Sequence, residues 1–414
     1  MSNEALVKDC VVLPDNAPTI ARVALGLQSH TRVRIAYICG PGDAVGTFEH
    51  WAQGRHDPRT PVIAYSAMFY SLIEALDAEA LMLVEQSRQP EIDKEARFRF
   101  VYTPHPRGRG GLAYHLDEAT FTRNVLEALS AWPADAIVVG TDAPAALISQ
   151  LPRASRIILT AHNVYWPMGT RPSGLVKRAR LWRLARALRR VRSAVCTSQE
   201  CANQIVALGC EHSRMFVETP QILPGFFPQA LPRSHCNRLL YLGRIEANKG
   251  VLDLIEAFSA IADIFPGLSL DIAGTGSANE QVRAAISRAH APNRIRFHGL
   301  LDANAVHALL DTSDLLICPT RLESGEGLAL VVIEAGVHGV PSVVSSIVPA
   351  KDLLNGACEV FPANDVAALT EVLRALASNN DSLRALSDAA LAQRSQFLDR
   401  SLSWGTQLYR ALLA

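Results

Sequence analysis

The sequence predicts an α/β protein built from two Rossmann-like domains in series. Its 414 residues exceed the roughly 250 to 300 at which a single hydrophobic core stops growing. Short apolar runs rich in β-branched residues alternate with segments of helical periodicity, as in doubly wound sheets of buried parallel strands. A proline-rich stretch divides this alternation into two series.

Nine apolar runs are predicted strands. They cover residues 33–39, 135–140, 156–162 and 193–198 in the first series, and 238–243, 268–274, 294–299, 315–320 and 341–346 in the second. The helical segments between them include residues 117–131, 251–264 and 363–377.

The boundary between the two series is predicted at four prolines. They recur at four-residue spacing, at Pro220, Pro224, Pro228 and Pro232. Proline at this density continues neither a helix nor a central strand. We therefore expect a first domain over residues 1–222, a linker over 223–236 and a second domain over 237–396. Two such domains facing each other would form a ligand-binding cleft at the carboxyl ends of their strands.

Composition excludes several classes of protein. Lys+Arg 40 balances Asp+Glu 40, so no global field favours nucleic acid. The first residues, MSNEALVKDC, lack the pattern of a signal peptide, and no apolar run approaches a membrane span, so we expect a cytoplasmic protein. The eight cysteines lack CxxC spacing and are interpreted as buried hydrophobes rather than as disulfides or metal ligands.

Candidate anion-binding residues follow the first strand of the second domain. Arg244 and Lys249 lie between that strand and a helical segment that Gly250 opens. Free backbone N–H groups, the helix dipole and the two cations would all favour a phosphate there. The alternative is that both cations are solvated surface residues. Gly274 and Gly276 end the next strand and would let the backbone approach a ligand, although such turns use glycine anyway.

Two glutamates, Glu326 and Glu334, flank an apolar segment. We expect Glu326 and Gly327 in a loop and residues 328–337 in a buried helix, with Glu334 in its second or third turn. At helical geometry the two would lie about 80° and about 12 Å apart. Carboxylates that flank a glycosidic bond in hydrolases are about 5 to 9.5 Å apart. The spacing therefore favours the two ends of an extended ligand, whose hydroxyl groups would satisfy a buried Glu334. The alternative is a pair of solvated charges.

These motifs together resemble the C-terminal half of the family 4 retaining glycosyltransferases of GT-B fold. The matching features are G-R-x4-K-G from Gly243, AGTG from Ala273, CPT from Cys318, E-x7-E from Glu326 and GVPSVV from Gly339. Their order and spacing make the resemblance specific, and it covers most of the second domain.

The resemblance implies a role for each matching residue. Arg244 and Lys249 would neutralise the donor diphosphate, Glu326 and the amides after it would hold the donor sugar, and Glu334 would hold the ribose. The implied catalytic residues are His162, Arg244, Lys249 and Glu326, and the implied donor-binding residues are Gly42, Gly243, Gly274, Gly276, Gly327, Leu328, Ala329 and Glu334. Ala329 stands where the family usually has Gly or Pro, and nearby Glu323 competes with Glu326 for the sugar-holding role.

The first domain matches the family more loosely. The loop CGPGDAVG, from Cys39 to Gly46, takes the place of the family's glycine-rich loop, in which a backbone amide such as that of Gly42 meets the diphosphate. A dinucleotide loop is the alternative, but no acid after the following strand supports it, and no cofactor is expected. His162 ends a predicted strand where the family keeps a histidine near the reacting sugar. A lone histidine is otherwise more often structural.

The end of the chain also resembles the family. Its last segment, SLSWGTQLYRALLA, is similar to the family's terminal helix, which crosses back onto the first domain. This implies that residues 397–414 belong with that domain, with Trp404 and Tyr409 packed there.

Residues 174–193 form a basic segment with eight Lys or Arg residues. Leu181, Leu184, Leu188 and Val191 share one side at helical spacing, while Trp182 and most arginines lie elsewhere. One interpretation is a core helix with a solvated basic face. The other is a contact with anionic lipid headgroups or a lipid diphosphate acceptor.

The resemblance implies a metal-independent enzyme, since the sequence contains no Asp-x-Asp pair to bridge a metal ion. It would transfer a sugar from a UDP or GDP sugar, with retention, to a carbohydrate or lipid-linked acceptor in glycan or glycolipid biosynthesis. A lipid-linked acceptor would place it on the inner face of the cell membrane. The alternatives are a catalytically silent sugar-nucleotide-binding protein and a sugar-nucleotide epimerase.

Overall fold

A computed structural model describes residues 8–60, 62–90, 97–106, 110–224 and 227–414. The chain divides into two compact units. The first contains the described residues up to Tyr165, together with Pro172–Leu223 and Asp399–Ala414. The second contains Trp166–Arg171 and the described residues of Pro224–Leu398.

The first unit has a parallel sheet, seven-stranded within the described residues. Its strands are β1 (Arg34–Ile38), β2 (Glu79–Val84), β3 (Phe98–Tyr102), β4 (Ala136–Gly140), β5 (Arg156–Ala161), β6 (Val191–Cys196) and β7 (Met215–Val217). They lie in the order β3-β2-β1-β4-β5-β6-β7. The order reverses between β1 and β4, which is the topological switch point at which doubly wound sheets bind ligands.

Helices precede and connect these strands. They are α1 (Ala17–Ala24), α2 (Ala44–Ala52), α3 (Tyr65–Ala75), α4 (Gly111–Ala131), α5 (Ala145–Gln150), α6 (Leu175–Leu188) and α7 (Gln199–Ala207). Side-chain caps start some of them. Asp43 accepts a hydrogen bond from the Gly46 amide at α2, and Ser198 accepts one from the Cys201 amide at α7.

The last helix, α14 (Trp404–Leu413), belongs to the first unit. Its apolar face packs against α3 and β6, and Trp404 and Leu412 are buried. Ser193 in β6 donates a hydrogen bond to the carbonyl oxygen of Ala411 at 2.6 Å. The expected return of the chain end to the first domain is therefore confirmed.

The second unit has a six-stranded parallel sheet among its described residues. Its strands are β8 (Arg238–Leu242), β9 (Ser269–Ala273), β10 (Ile295–Gly299), β11 (Leu315–Cys318), β12 (Ser342–Ser345) and β13 (Cys358–Phe361), in the order β10-β9-β8-β11-β12-β13. This sheet therefore has its switch point between β8 and β11.

The helices of the second unit are α8 (Val251–Ile261), α9 (Asn279–Arg288), α10 (Ala303–Thr312), α11 (Leu330–Val337), α12 (Val366–Ser378) and α13 (Asn380–Ala392). The predicted apolar face of α8 lies in the core, as the burial of Leu254, Ile255 and Phe258 shows. None of the described helices is long and apolar enough to cross a membrane.

The α/β class with two Rossmann-like domains is confirmed, and all nine predicted strands are present. Two helix limits differ from the prediction. The predicted helix over 328–337 begins at Leu330, because Ala329 has a left-handed backbone with φ of 72°. The basic helix ends at Leu188, and Val191 starts β6 instead of continuing the helix.

Candidate active site

The switch point of the second sheet brings together two residues that the sequence singles out. Lys249 follows β8 and Glu326 follows β11, and these two strands are hydrogen-bonded neighbours. The Lys249 ammonium lies 2.6 Å from a Glu326 carboxylate oxygen, with side chains only 12% and 14% exposed. Thr320 adds a weaker contact, its hydroxyl oxygen lying 3.4 Å from the same carboxylate oxygen.

Arg244 lies on the solvent side of the same strand end. Its side chain is 67% exposed and its guanidinium lies 2.9 Å from the carboxylate of Glu246. The Tyr241 hydroxyl donates to the Arg244 carbonyl at 2.7 Å, which holds the loop after β8 in place. Arg244 is therefore positioned by its backbone while its charged end stays accessible.

Close approach of backbone segments explains two of the predicted glycines. A Cβ on Gly274 would lie 1.8 Å from the carbonyl oxygen of Gly243, and one on Gly276 would lie 2.3 Å from that of Ile245. From the sequence, these glycines are expected either to give a ligand space or to serve an ordinary strand-to-helix turn. The structure shows that the protein's own chain already requires them.

The environments of Glu323 and Glu326 differ. Glu323 is 60% exposed and contacts Arg321 at 3.5 Å and the Asn364 side chain at 3.1 Å. Glu326 is largely enclosed and contacts Lys249. This difference favours Glu326 as the residue beside the candidate anion site.

Ala329 separates Glu326 from the helix that carries Glu334. Since α11 begins at Leu330, the helical angle and rise expected between the two glutamates do not apply. Leu328 is buried before this turn, and its carbonyl oxygen accepts a hydrogen bond from the Ala350 amide.

Glu334 lies in the second turn of α11 and is partly buried. Desolvation raises the pKa of its carboxyl to about 7. No described residue donates a hydrogen bond to this side chain. A partly buried carboxyl to which no described residue donates is suited to accept hydrogen bonds from a ligand.

His162 directly follows β5 in the first unit. Its Nε2 lies 2.9 Å from the hydroxyl oxygen of Thr160, and its ring stacks on Tyr65 with centroids 4.3 Å apart. Burial lowers the pKa of His162 to about 4, so the ring is neutral at physiological pH. Its Nδ1 is enclosed and has no hydrogen-bond partner among the described residues.

Sequence patterns singled out neither Tyr65, which stacks on this histidine, nor Glu218, which contacts Tyr65. The Tyr65 hydroxyl donates to a Glu218 carboxyl oxygen at 2.9 Å. Glu218 follows β7, is completely buried, and has a pKa that burial raises to about 8. An acid directly after the apolar run MFV was the available signal, but acids also follow strands in solvated loops.

Charged side chains surround the loop that contains Gly42. The Gly42 carbonyl oxygen accepts a hydrogen bond from the Gln86 side chain at 3.0 Å. Asp43 next to it contacts Arg59 at 2.6 Å and Arg88 at 3.0 Å. Neither arginine was a predicted site residue, because each lies far from the loop in sequence.

The basic helix α6 exposes apolar side chains among its cations. Leu175, Val176 and Trp182 are 85%, 69% and 65% exposed, whereas Ala187 and Leu188 are buried. Within the described part of the chain, no group of three or more His, Cys, Asp or Glu residues could hold a metal ion.

Comparisons with known proteins agree with this architecture. Residues 18–218 match the family model of the glycosyl transferase 4-like domain, and residues 226–393 match that of the glycosyl transferases group 1. The glycogen synthase of Mycobacterium tuberculosis is 33% identical over 187 residues, which are 44% of this chain and 42% of that protein. The 2-deoxystreptamine glucosyltransferase of Streptomyces kanamyceticus is 25% identical over 53% of this chain and 64% of its own. The chain thus spans less than half the length of the glycogen synthase.

Solved structures share the fold. WaaG, a glycosyltransferase involved in lipopolysaccharide biosynthesis, aligns with a TM-score of 0.64 and 18% identity over 91% of this chain and 98% of its own. Anabaena HepE in complex with UDP aligns with a TM-score of 0.61 and 14% identity over 89% and 96%. Together, the two family models and the shared architecture show that the chain belongs to the family 4 glycosyltransferases of GT-B fold.

Proposed function

We propose that this protein transfers a sugar from a nucleotide-diphosphate sugar of the UDP or GDP type to a hydroxyl group of a carbohydrate or lipid-linked acceptor, with retention of configuration. The observation that carries the proposal is the contact between Lys249 and Glu326 at the switch point of the second sheet, with Arg244 beside it. Doubly wound sheets bind nucleotides at this point, and the two cations suit a diphosphate.

Each end of the donor has a candidate partner in the second unit. Arg244 and Lys249 would stabilise the charge on the departing diphosphate, and Glu326 with the amides of Gly327 and Leu328 would hold the sugar. Glu334 would accept hydrogen bonds from the ribose. The loops around this candidate site contain four further proposed donor-binding residues, Gly243, Gly274, Gly276 and Ala329.

For the first unit, we propose the contacts that the family resemblance implies, of the Gly42 loop with a diphosphate and of His162 with a sugar. During transfer, the bond from the sugar's anomeric carbon to the diphosphate oxygen breaks and one to the acceptor oxygen forms. The acceptor proton passes to the departing diphosphate. Retention by attack on the same face needs no protein nucleophile, in keeping with the retaining family.

A ligand panel would test the donor assignment. Thermal unfolding is measured with UDP, GDP, ADP and their glucose conjugates, since a ligand that binds only the folded state stabilises it. The HepE complex with UDP favours a uridine nucleotide. We expect one base to raise the midpoint clearly above the others, and no shift with any nucleotide would contradict the proposal.

Turnover would separate this function from its alternatives. Release of nucleoside diphosphate that depends on an acceptor sugar supports transfer. Binding without turnover across an acceptor panel would indicate a catalytically silent protein, and conversion of the nucleotide sugar without an acceptor would indicate an epimerase.

A specific observation supports a membrane-facing acceptor. Leu175 and Trp182 lie seven residues apart on α6 and are exposed on one side of it, beside Arg178 and Arg186. Trp and Leu side chains enter the interfacial region of a bilayer while arginines contact anionic headgroups. We propose that residues 174–193 bind an anionic membrane surface and place the enzyme on the inner face of the cell membrane, near a lipid-linked acceptor.

Vesicle flotation would test this surface. Wild-type protein is expected to float with vesicles that contain phosphatidylglycerol and to remain unbound with phosphatidylcholine alone. Leu175→Ser with Trp182→Ser should abolish flotation, whereas Leu300→Ser, at another exposed leucine, should not. Absence of binding to anionic vesicles at low salt would mean that α6 is a solvated basic helix.

A further inference from the structure

The C-terminal helix reaches His162 through two hydrogen bonds. Trp404, the first residue of α14, donates from its indole Nε1 to the hydroxyl oxygen of Thr160 at 2.8 Å. That oxygen lies 2.9 Å from Nε2 of His162. Trp404 and Thr160 are buried, with exposed fractions of 0% and 1%, so water does not compete for these contacts.

The direction of both hydrogen bonds follows from what each group can donate. An indole N–H is only a donor, so the Thr160 oxygen accepts from Trp404. The hydroxyl proton of Thr160 then needs an acceptor, and Nε2 of His162 is the acceptor that the described residues place within reach. When Thr160 donates to Nε2, the single proton of the neutral imidazole is on Nδ1.

The opposite tautomer satisfies fewer groups. With the proton on Nε2, that nitrogen would donate to the Thr160 oxygen, and the hydroxyl proton of Thr160 would have no acceptor. The lone pair on Nδ1 would be unpaired as well. Buried polar groups are nearly always hydrogen-bonded, so the arrangement with one unpaired group is preferred over that with two.

Other contacts keep the ring neutral and in place. Burial lowers the pKa of His162 to about 4, although the negative charge of Asp142 opposes this shift. Tyr65 covers one face of the ring at an interplanar angle of 25°, and its hydroxyl is anchored on buried Glu218.

We propose that α14, acting through Trp404 and Thr160, holds His162 as the Nδ1–H tautomer, so that Nδ1 donates a hydrogen bond to an oxygen of the bound sugar nucleotide. The enclosed Nδ1 has no partner among the described residues, as expected of a donor that a ligand oxygen completes. Trp404 and Thr160 are positioning residues in this scheme, and His162 contacts the substrate. The identity of the ligand rests on the proposed function, whereas the tautomer does not.

Nuclear magnetic resonance of protein labelled with ¹⁵N-histidine would read the tautomer without any substrate. Long-range proton–nitrogen correlations distinguish a protonated ring nitrogen from an unprotonated one, and the spectrum of His162→Gln assigns the signals of His162. We expect Nδ1 to be protonated and Nε2 to be unprotonated at pH 7. A protonated Nε2 overturns the proposal whether or not the protein transfers sugar.

Variants would show that the hydrogen-bond chain sets the tautomer. Thr160→Val removes the hydroxyl and is expected to produce a mixture of tautomers, while Thr160→Ser restores the Nδ1–H form. Trp404→Phe should also give a mixture, because the freed Thr160 oxygen can accept from Nε2. Thr197→Val is a matched control, since Thr197 is buried in the same unit and its hydroxyl bonds to Ala161.

Kinetics with the sugar nucleotide that is turned over would link the tautomer to the reaction. Thr160→Val should lower kcat by about tenfold to 100-fold, with little change in KM. This decrease is smaller than the loss of rate expected when a preorganised donor is removed altogether. Thr160→Ser should recover most of kcat, and Thr197→Val should match the wild type. A folded Thr160→Val protein that keeps the pure Nδ1–H tautomer would overturn the proposal.

Discussion

Lys249 and Glu326 lie 77 residues apart in the chain, yet their charged groups are 2.6 Å apart between two neighbouring strand ends. Because both side chains are largely enclosed, the charge of each is partly neutralised by the other. A diphosphate that contacts Lys249 would compete with Glu326 for the ammonium and free the carboxylate for sugar hydroxyls.

Arg244→Ala should lower the rate of sugar transfer by about 100- to 1,000-fold, because one preorganised contact to the departing diphosphate is lost. Since the Arg244 side chain is 67% exposed, the thermal midpoint should hardly change. Steady-state kinetics and thermal unfolding check both parts. Arg288→Ala, at another exposed arginine of the second unit, serves as the control and should keep full activity.

Lys249→Ala should lower transfer to a similar extent and also destabilise the protein. Removal of the ammonium leaves a largely enclosed carboxylate unpaired, at a cost of about 1–3 kcal/mol. Urea unfolding of Lys249→Ala, Glu326→Gln and the double variant would measure the coupling. Strictly additive effects would show that the two residues do not interact.

Binding of a sugar nucleotide should strengthen as the pH rises from 6 to 8. The pKa of Glu334 is about 7, and an ionised carboxylate accepts hydrogen bonds from ribose hydroxyls better than a protonated one. The ionised fraction changes about tenfold across this range, and affinity should change by up to that factor. UDP-glucose is a suitable probe, because its diphosphate does not titrate there.

Isothermal titration calorimetry with wild type and Glu334→Gln would test this dependence. The Gln variant should bind more weakly at pH 8 and show little change with pH. An equally steep pH dependence in both proteins would assign the effect to another group.

Glu218 should make the folded state less stable at alkaline than at acidic pH. Burial raises its pKa from an ordinary 4.5 to about 8, so the folded protein keeps the proton to higher pH than the unfolded chain. The stability linked to this proton is fully present below about pH 4.5 and is lost as the pH rises to about 8. Glu334 adds a slope of the same sign between its ordinary value and about 7.

Glu218→Gln should remove the contribution of Glu218 to this slope. The amide stays neutral and can still accept the hydrogen bond from Tyr65, so at pH 8 the variant should be more stable by on the order of 2–4 kcal/mol. At pH 5 the two proteins should be similar. Urea unfolding at both pH values checks this, and parallel pH profiles would contradict it.

Ala329 should tolerate glycine but not proline. Its φ of 72° is left-handed, which costs an alanine roughly 1–2 kcal/mol of stability. Glycine avoids this cost, but its unfolded chain has more conformational freedom, which offsets part of the gain. Ala329→Gly should therefore be as stable as wild type or up to about 1 kcal/mol more stable. Proline fixes φ near −65°, so Ala329→Pro should lose about 3 kcal/mol or more. A proline variant with an unchanged thermal midpoint would rule out this backbone conformation.

Local patterns predicted the strands whose sequences form buried apolar runs. They did not predict β2, whose sequence EALMLV consists largely of residues that favour helices, or β3, whose sequence FRFVY mixes apolar and charged residues. The three-residue β7 and the partly exposed β13, CEVF, lack such a run. Such strands depend on neighbours in the sheet more than on their own composition.

The candidate site was predicted in part. Motif spacing singled out Arg244 with Lys249 and Glu326 with Glu334, because the two members of each pair stand close together in sequence after a predicted strand. The sequence did not predict the contact between Tyr65 and Glu218, because these residues are 153 positions apart and share no motif.

The sequence by itself determined the α/β class, the two series of strands, the family and most candidate site residues, since apolar periodicity and motif spacing are local properties. Only the tertiary structure decided that Lys249 contacts Glu326 and that the left-handed backbone at Ala329 separates Glu326 from the helix of Glu334. It alone also showed the hydrogen bond between Trp404 and Thr160, which are 244 residues apart. Strand order brings distant segments together, and the burial that results sets the protonation of Glu218, Glu334 and His162.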